Sequence, residues 1–193
     1  RTVPYEITKN EQVIYKHRNL IELNFETDKS FLSKNNKIQI ITDGKEKFRL
    51  LFEDIKNAKN YIHIQYYILK KDGIGKQLFS LLEQKLLEGV DVYILYDDIG
   101  SRKLSISSLR QLTKNNAKIK RFFKSKFPLI NFRMNYRNHR KIVTIDGNIG
   151  YTGGFNVGDE YLGLDKKFGY WRDTHLRIEG EAVGSLEYRF IDD

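Results

Sequence analysis

The chain contains no cysteine, so it can form neither disulfides nor thiolate metal sites, and redox compartment cannot be read from it. Proline is scarce, with two in 193 residues, and methionine and tryptophan occur once each. The histidines are His17, His63, His139 and His175, and no pair has the spacing of a zinc site. No stretch approaches the roughly 20 apolar residues of a membrane span. No signal peptide is visible, and Arg1 stands where a start methionine would. The last residues, 182–191, read as an amphipathic helix cut short, and the chain is expected to be a fragment of a longer protein. There is no internal repeat and no low-complexity segment.

What is in excess is positive charge. Thirty-four Lys and Arg against 25 Asp and Glu give a net charge of +9, which fits an anionic partner, either nucleic acid or an acidic lipid surface. The apolar and charged fractions, 40% and 31%, are those of a globular domain, and the length suffices for one sizeable core.

Residues 1–36 are polar and irregular, with some helical spacing over 19–32, and are read as an N-terminal arm. The domain proper is expected over 37–193. Strands are predicted at 37–41, 61–69, 90–96 and 117–123, and helices at 46–58, 74–88 and 105–113. The helix over 46–58 carries Phe48, Leu51, Phe52 and Ile55 as a core stripe. This alternation predicts an α/β fold with a largely parallel sheet and helices on both faces. Later strands at 140–145, 148–151 and 170–178 add hairpin geometry, so the sheet is expected to be mixed. His63 reads as a packed histidine, and Asp97-Asp98 as a turn at a strand's end. The stretch 124–134 interleaves basic residues (Lys124, Lys126, Arg133) with Phe127, Leu129 and Ile130. It reads either as a loop tucked into the core or as one resting on a membrane.

The chemistry-bearing stretch is Asn138-His139-Arg140-Lys141-Ile142-Val143-Thr144-Ile145-Asp146-Gly147, which contains H-x-K-x-x-x-x-D. Its β-branched second half reads as a strand, and a period of two puts His139 and Lys141 on one face. An ammonium there can hold a phosphoryl group while the imidazole attacks it or passes it a proton. Asp146 falls on the other face and opens the turn Asp146-Gly147-Asn148, so its first role is to pin a hairpin. Downstream, Gly153-Gly154-Phe155-Asn156 is expected to offer free backbone N–H groups and an amide donor to an anion. Asp173, on one face with Trp171 and His175, is the candidate carboxylate to fix the tautomer of His139, with Glu160 competing.

H-x-K-x4-D followed by G-G-x-N resembles the HKD signature of the phospholipase D superfamily. The runs from Ile149 to Gly163 and from Phe168 to His175 are similar to the first catalytic half of bacterial cardiolipin synthases. The resemblance implies a phospholipase D-like fold, one half of a two-lobed enzyme. It implies phosphatidyl transfer between two phosphatidylglycerol molecules through a phosphohistidine, giving cardiolipin and glycerol. His139, Lys141 and Asp146 would form the catalytic set, and Asn156, Gly153 and Gly154 the phosphate-binding set. No metal and no cofactor are implied. Two H-x-K motifs make one site and this chain carries one. The second would come from a C-terminal half or a second copy, and this chain alone is expected to be inactive. The partners expected are phosphatidylglycerol and an anionic membrane surface, at the cell membrane. The other reading is a single-motif phosphodiesterase or endonuclease acting on nucleic acid as a homodimer.

Overall fold

The computed structural model describes residues 12–122 and 137–193. Two helices, α1 (Gln12–Lys16) and α2 (Arg18–Asp28), come first. Then strand and helix alternate: β1 (Lys37–Asp43), α3 (Gly44–Asn57), β2 (Tyr61–Tyr66), α4 (Gly73–Leu87), β3 (Asp91–Asp97), α5 (Ile106–Lys114), β4 (Lys118–Phe122). After the undescribed segment, which contains the stretch 124–134, come β5 (Ile142–Ile145), β6 (Ile149–Gly153), β7 (Arg172–Glu179) and α6 (Val183–Asp192).

Local chemistry sets the boundaries. Asp43 caps α3 by accepting from the Glu46 N–H at 3.0 Å, and Asp72 and Ser105 do the same for α4 and α5. Along α3 the stripe Phe48, Leu51 and Ile55 is fully buried, as the helical spacing requires.

The seven strands form one mixed sheet in the order β1-β7-β6-β5-β2-β3-β4. β2, β3 and β4 are parallel neighbours, while β1–β7, β7–β6, β6–β5 and β5–β2 pair antiparallel. Five strands therefore run one way, with β5 and β7 inserted against them. Two hairpin-linked strands can be laid into a βαβ sheet because a tight turn reverses direction where a crossover helix preserves it. Helices α3, α4 and α5 cover one face, with Ile62, Ile64, Val143, Ile145 and Tyr151 in the core beneath them. On the other face α6 sits over Gly150 through Val183 and Leu186, and Phe190 stacks on His63 with ring centroids 4.6 Å apart. His63 is thus a packed histidine, hydrogen-bonded to Thr144. The described part of the arm, from residue 12 on, is more regular than its composition suggested. Residues after α2 bind α6's approach, with the Lys34 N–H and the Asn35 amide both donating to Glu181 at 2.9 Å.

One buried ion pair ties the sheet to α3. Asp54 receives two hydrogen bonds from the Arg177 guanidinium, at 2.7 and 2.8 Å, and a third from the Tyr151 hydroxyl. Its consequence is positional: β6 and β7 are held against the helix just below the edge where the H-x-K residues lie.

Candidate active site

That edge collects chain from six strands. The C-terminal ends of β1, β2, β3 and β6 meet the N-terminal ends of β5 and β7 there, because the sheet's antiparallel insertions point their beginnings the same way. In α/β sheets this is where ligands bind.

His139 and Lys141 precede β5, whose ladder begins at Ile142; the strand expected over 140–145 is shorter. The residues around His139 are nevertheless held. Asp97, buried at the end of β3, accepts from the Ile99 and Gly100 N–H groups at 2.9 and 2.8 Å and from the Asn138 N–H at 3.4 Å. The Asn138 amide and the Arg140 guanidinium both reach Asp193, at 2.7 and 2.9 Å. With its neighbours fixed on one side, the exposed His139 ring projects on the other and packs on Tyr67, ring centroids 3.9 Å apart. The Lys141 ammonium lies 5.7 Å from the same Tyr67 ring and donates to the His139 carbonyl at 2.5 Å. Burial lowers the Lys141 pKa, and the Asp173 carboxylate beside it works against that shift.

Four expectations can be set against the geometry: Asp146 pins its hairpin as read and does not join the catalytic set, Asn156 keeps an amide donor, and the glycines and Asp173 depart from the roles expected of them. Asp146 stands apart from the histidine: its carboxylate accepts from the N–H groups of Lys59, Asn60 and Tyr61 at 2.7, 2.8 and 2.9 Å. Burial opposes its charge, but those three donors outweigh it and the pKa is lowered. Asp146 also takes a positive φ of 51° at the hairpin, so its work is to lock the β5–β6 turn onto the start of β2. Second, Gly154 has no free N–H, because it donates to the Thr174 carbonyl at 2.9 Å. The glycines serve by being small. A Cβ on Gly154 would fall 1.8 Å from an Asp173 carboxylate oxygen, and one on Gly153 2.7 Å from His175 Nδ1. Third, among the described residues no hydrogen bond links Asp173 to His139; Asp173 lies over Gly154 and acts on Lys141. Glu160 is likewise engaged elsewhere, paired with Lys70. Fourth, Asn156 is buried, accepting from the Ile68 N–H at 3.0 Å and donating to the Tyr161 hydroxyl at 2.8 Å. An amide nitrogen carries two hydrogens, which leaves one for an anion among the described residues.

A family described as "Cardiolipin synthase, PLD-like domain" matches residues 51–170. The chain belongs to this phospholipase D-like family. A cardiolipin synthase of Oceanobacillus iheyensis is 52% identical over 184 residues, 95% of this chain and 38% of the relative. Cardiolipin synthase 2 of Staphylococcus epidermidis is 53% identical over 97% of this chain and 38% of the relative. The chain thus spans little more than a third of the length of the curated relatives it matches. Among solved structures, phosphatidylserine synthase of Haemophilus influenzae aligns with a TM-score of 0.62 at 20% identity, over 81% of this chain and 36% of that one. Nuc of Salmonella typhimurium, a phospholipase D family member, aligns with a TM-score of 0.56 at 19% identity, over 82% of this chain and 93% of that one. These two show the fold.

Three residues of this phospholipase D-like domain escaped the sequence reading as site residues. Tyr67 directly follows β2, and its position at the parallel strand's C-terminal end was the available signal. Asp97 read as a turn residue, which it is, but its bond to Asn138 joins segments 41 residues apart. His175 was placed on the Asp173 face without a role. It is 1% exposed, both ring nitrogens lack a partner among the described residues, and burial, then the Lys47 and Lys141 cations, push its pKa down to about 2.

Proposed function

We propose that this domain supplies one half of a phosphatidyl-transfer site that joins two phosphatidylglycerol molecules into cardiolipin and glycerol. The observation that carries the reading is the meeting of an exposed imidazole and an ammonium on one aromatic ring, His139 and Lys141 on Tyr67, at the open edge of the sheet. A ring nitrogen of His139 attacks the phosphorus of the donor lipid, the bond to its glycerol oxygen breaks, and a phosphohistidine forms. A second histidine, from another segment of the protein or a second copy, protonates the departing glycerol. The same group then takes the proton from the acceptor's hydroxyl as its oxygen attacks phosphorus and frees His139. Lys141 and the remaining amide hydrogen of Asn156 offset the charge on the phosphoryl oxygens. Side chains of this kind suffice for the charge of the reacting centre, so no step is assigned to a metal.

The net charge of +9 suits contact with an anionic membrane surface, which the lipid substrates require. No helix among the described residues is long and apolar enough to cross a membrane. The same charge would suit nucleic acid, so the test has two arms. In the intact protein, His139→Ala should abolish conversion of phosphatidylglycerol to cardiolipin, and the wild type should not cut plasmid DNA. Cardiolipin made at the wild-type rate by His139→Ala refutes the assignment. Metal-free DNA cleavage by a homodimer would replace it with the phosphodiesterase reading.

A further inference from the structure

A row of three residues crosses the sheet beneath the site. Gly153 on β6 pairs with His175 on β7; the β5–β6 ladder ends at the Ile142–Thr152 pair, and its register continued by one residue would set Lys141 on the other side of Gly153. Paired residues on neighbouring strands share a face. Lys141 and His175 therefore flank a position with no side chain, and the His175 ring leans into it: Nδ1 is 2.7 Å from where a Cβ of Gly153 would stand.

The imidazole is buried with neither nitrogen hydrogen-bonded among the described residues. A polar group so placed costs free energy unless some state of the protein satisfies it. Neutral imidazole carries one acceptor nitrogen. The Tyr151 and Phe155 rings pack beside it, and the charged groups acting on it are the Lys47 and Lys141 cations. Lys47 of α3, fully buried, donates to the Tyr66 hydroxyl at 2.8 Å. Lys141 has turned its ammonium back to the His139 carbonyl.

We propose that His175 is a positioning residue for Lys141: across the gap left by Gly153, its Nδ1 accepts a hydrogen bond from the Lys141 ammonium and steadies it against the bound phosphoryl group. A neutral acceptor suits this task better than a carboxylate, because it orients the ammonium without cancelling the charge that the phosphoryl oxygens need. The ammonium's other hydrogens remain for substrate. This inference rests on the phosphatidyl-transfer reading for its substrate, but the Lys141–His175 contact can be read with inorganic phosphate alone.

The test uses the intact protein. His175→Phe keeps a planar ring and removes the acceptor; His175→Asn restores an acceptor near Nδ1. His175→Phe should lower kcat/KM for phosphatidylglycerol and raise the inhibition constant of inorganic phosphate, each by about ten- to a hundredfold, the range of a hydrogen bond to a charged group. His175→Asn should recover most of both. Equal values for His175→Phe and wild type overturn the proposal, and so does an Asn variant as impaired as Phe, which would mark a packing role. If His175→Phe does not fold, the 15N imidazole spectrum of the wild type decides. Phosphate should move one His175 nitrogen toward the hydrogen-bonded acceptor range, and an unmoved resonance overturns the proposal. Failure of the wild type to make cardiolipin would sink the proposed function instead, leaving the phosphate titration to judge this contact.

Discussion

The Tyr67 ring lies 3.9 Å from the His139 ring, centroid to centroid, and the Lys141 ammonium lies 5.7 Å from the same centroid. One aromatic face thus registers both groups of the H-x-K pair. Gly100 lets it do so, since a Cβ there would stand 2.7 Å from the Tyr67 ring.

Tyr67→Ala in the intact protein should therefore leave His139 free to rotate. A ring–ring contact is worth about 0.5–1.5 kcal/mol, so kcat/KM should drop by about two- to tenfold, more if water enters the gap. Tyr67→Phe keeps the ring and should stay close to wild type. Steady-state kinetics on both variants check this; equal losses would assign the effect to the hydroxyl.

Asp146 lends itself to a stability measurement. Removing its carboxylate strands three amide N–H groups at the start of β2. Asp146→Ala should destabilise the fold by about 1–3 kcal/mol. Asp146→Asn should do less harm, because asparagine tolerates a positive φ and keeps an acceptor. The pKa of Asp146 is lower in the folded than in the unfolded state. Its contribution is therefore complete above the unfolded value, about 4, and is lost as pH falls below that through the folded pKa. Chemical denaturation at neutral pH and again below about pH 4 should show the wild-type advantage over Asp146→Asn shrinking only in the more acidic sample.

The Asp54–Arg177 pair should be the costliest surface-distant change. Both side chains are nearly buried, 11% and 13% exposed, and Arg177 binds Asp54 through two nitrogens. Arg177→Met leaves the Asp54 carboxylate uncompensated and should cost about 3–5 kcal/mol. Arg177→Lys should recover little, because one ammonium cannot reproduce the paired N–H geometry. Thermal unfolding of the three proteins measures it.

Much of this was legible in the residues themselves. The helical stripe at Phe48, Leu51 and Ile55 and the β-branched run Ile142 to Ile145 each fixed an element through periodicity alone. The order of strand and helix up to β4 followed from the same signal. Where β5 and β7 enter the sheet did not, because strand order depends on pairings between residues far apart in the chain, such as Ile62 with Ile145. The H-x-K residues announced themselves by spacing, but Tyr67 and His175 did not. Their relevance arises from contacts across strands, and a lone tyrosine after one strand or a lone histidine within another carries no motif. The glycines show the reverse error: Gly153-Gly154 looked like an anion cradle by composition, whereas the bond from Gly154 to Thr174 and the side chains above them show spacers.

That reassignment makes a prediction that separates the two glycines. Gly154→Ala places a methyl 1.8 Å from an Asp173 side-chain oxygen, and a side chain can swing aside. The variant should fold, with Asp173 displaced from Lys141, and lose activity through that displacement. Gly153→Ala meets backbone as well: its Cβ would lie 2.4 Å from the Thr174 carbonyl oxygen at a φ of 150° that alanine seldom adopts. β7 itself must move, which should cost about 1–3 kcal/mol for the strained backbone alone, and the melting point should fall. If the glycines served as N–H donors, both substitutions would keep their N–H groups and neither would separate activity from stability in this way. Paired measurements of melting temperature and cardiolipin formation on the two variants decide between spacing and donation.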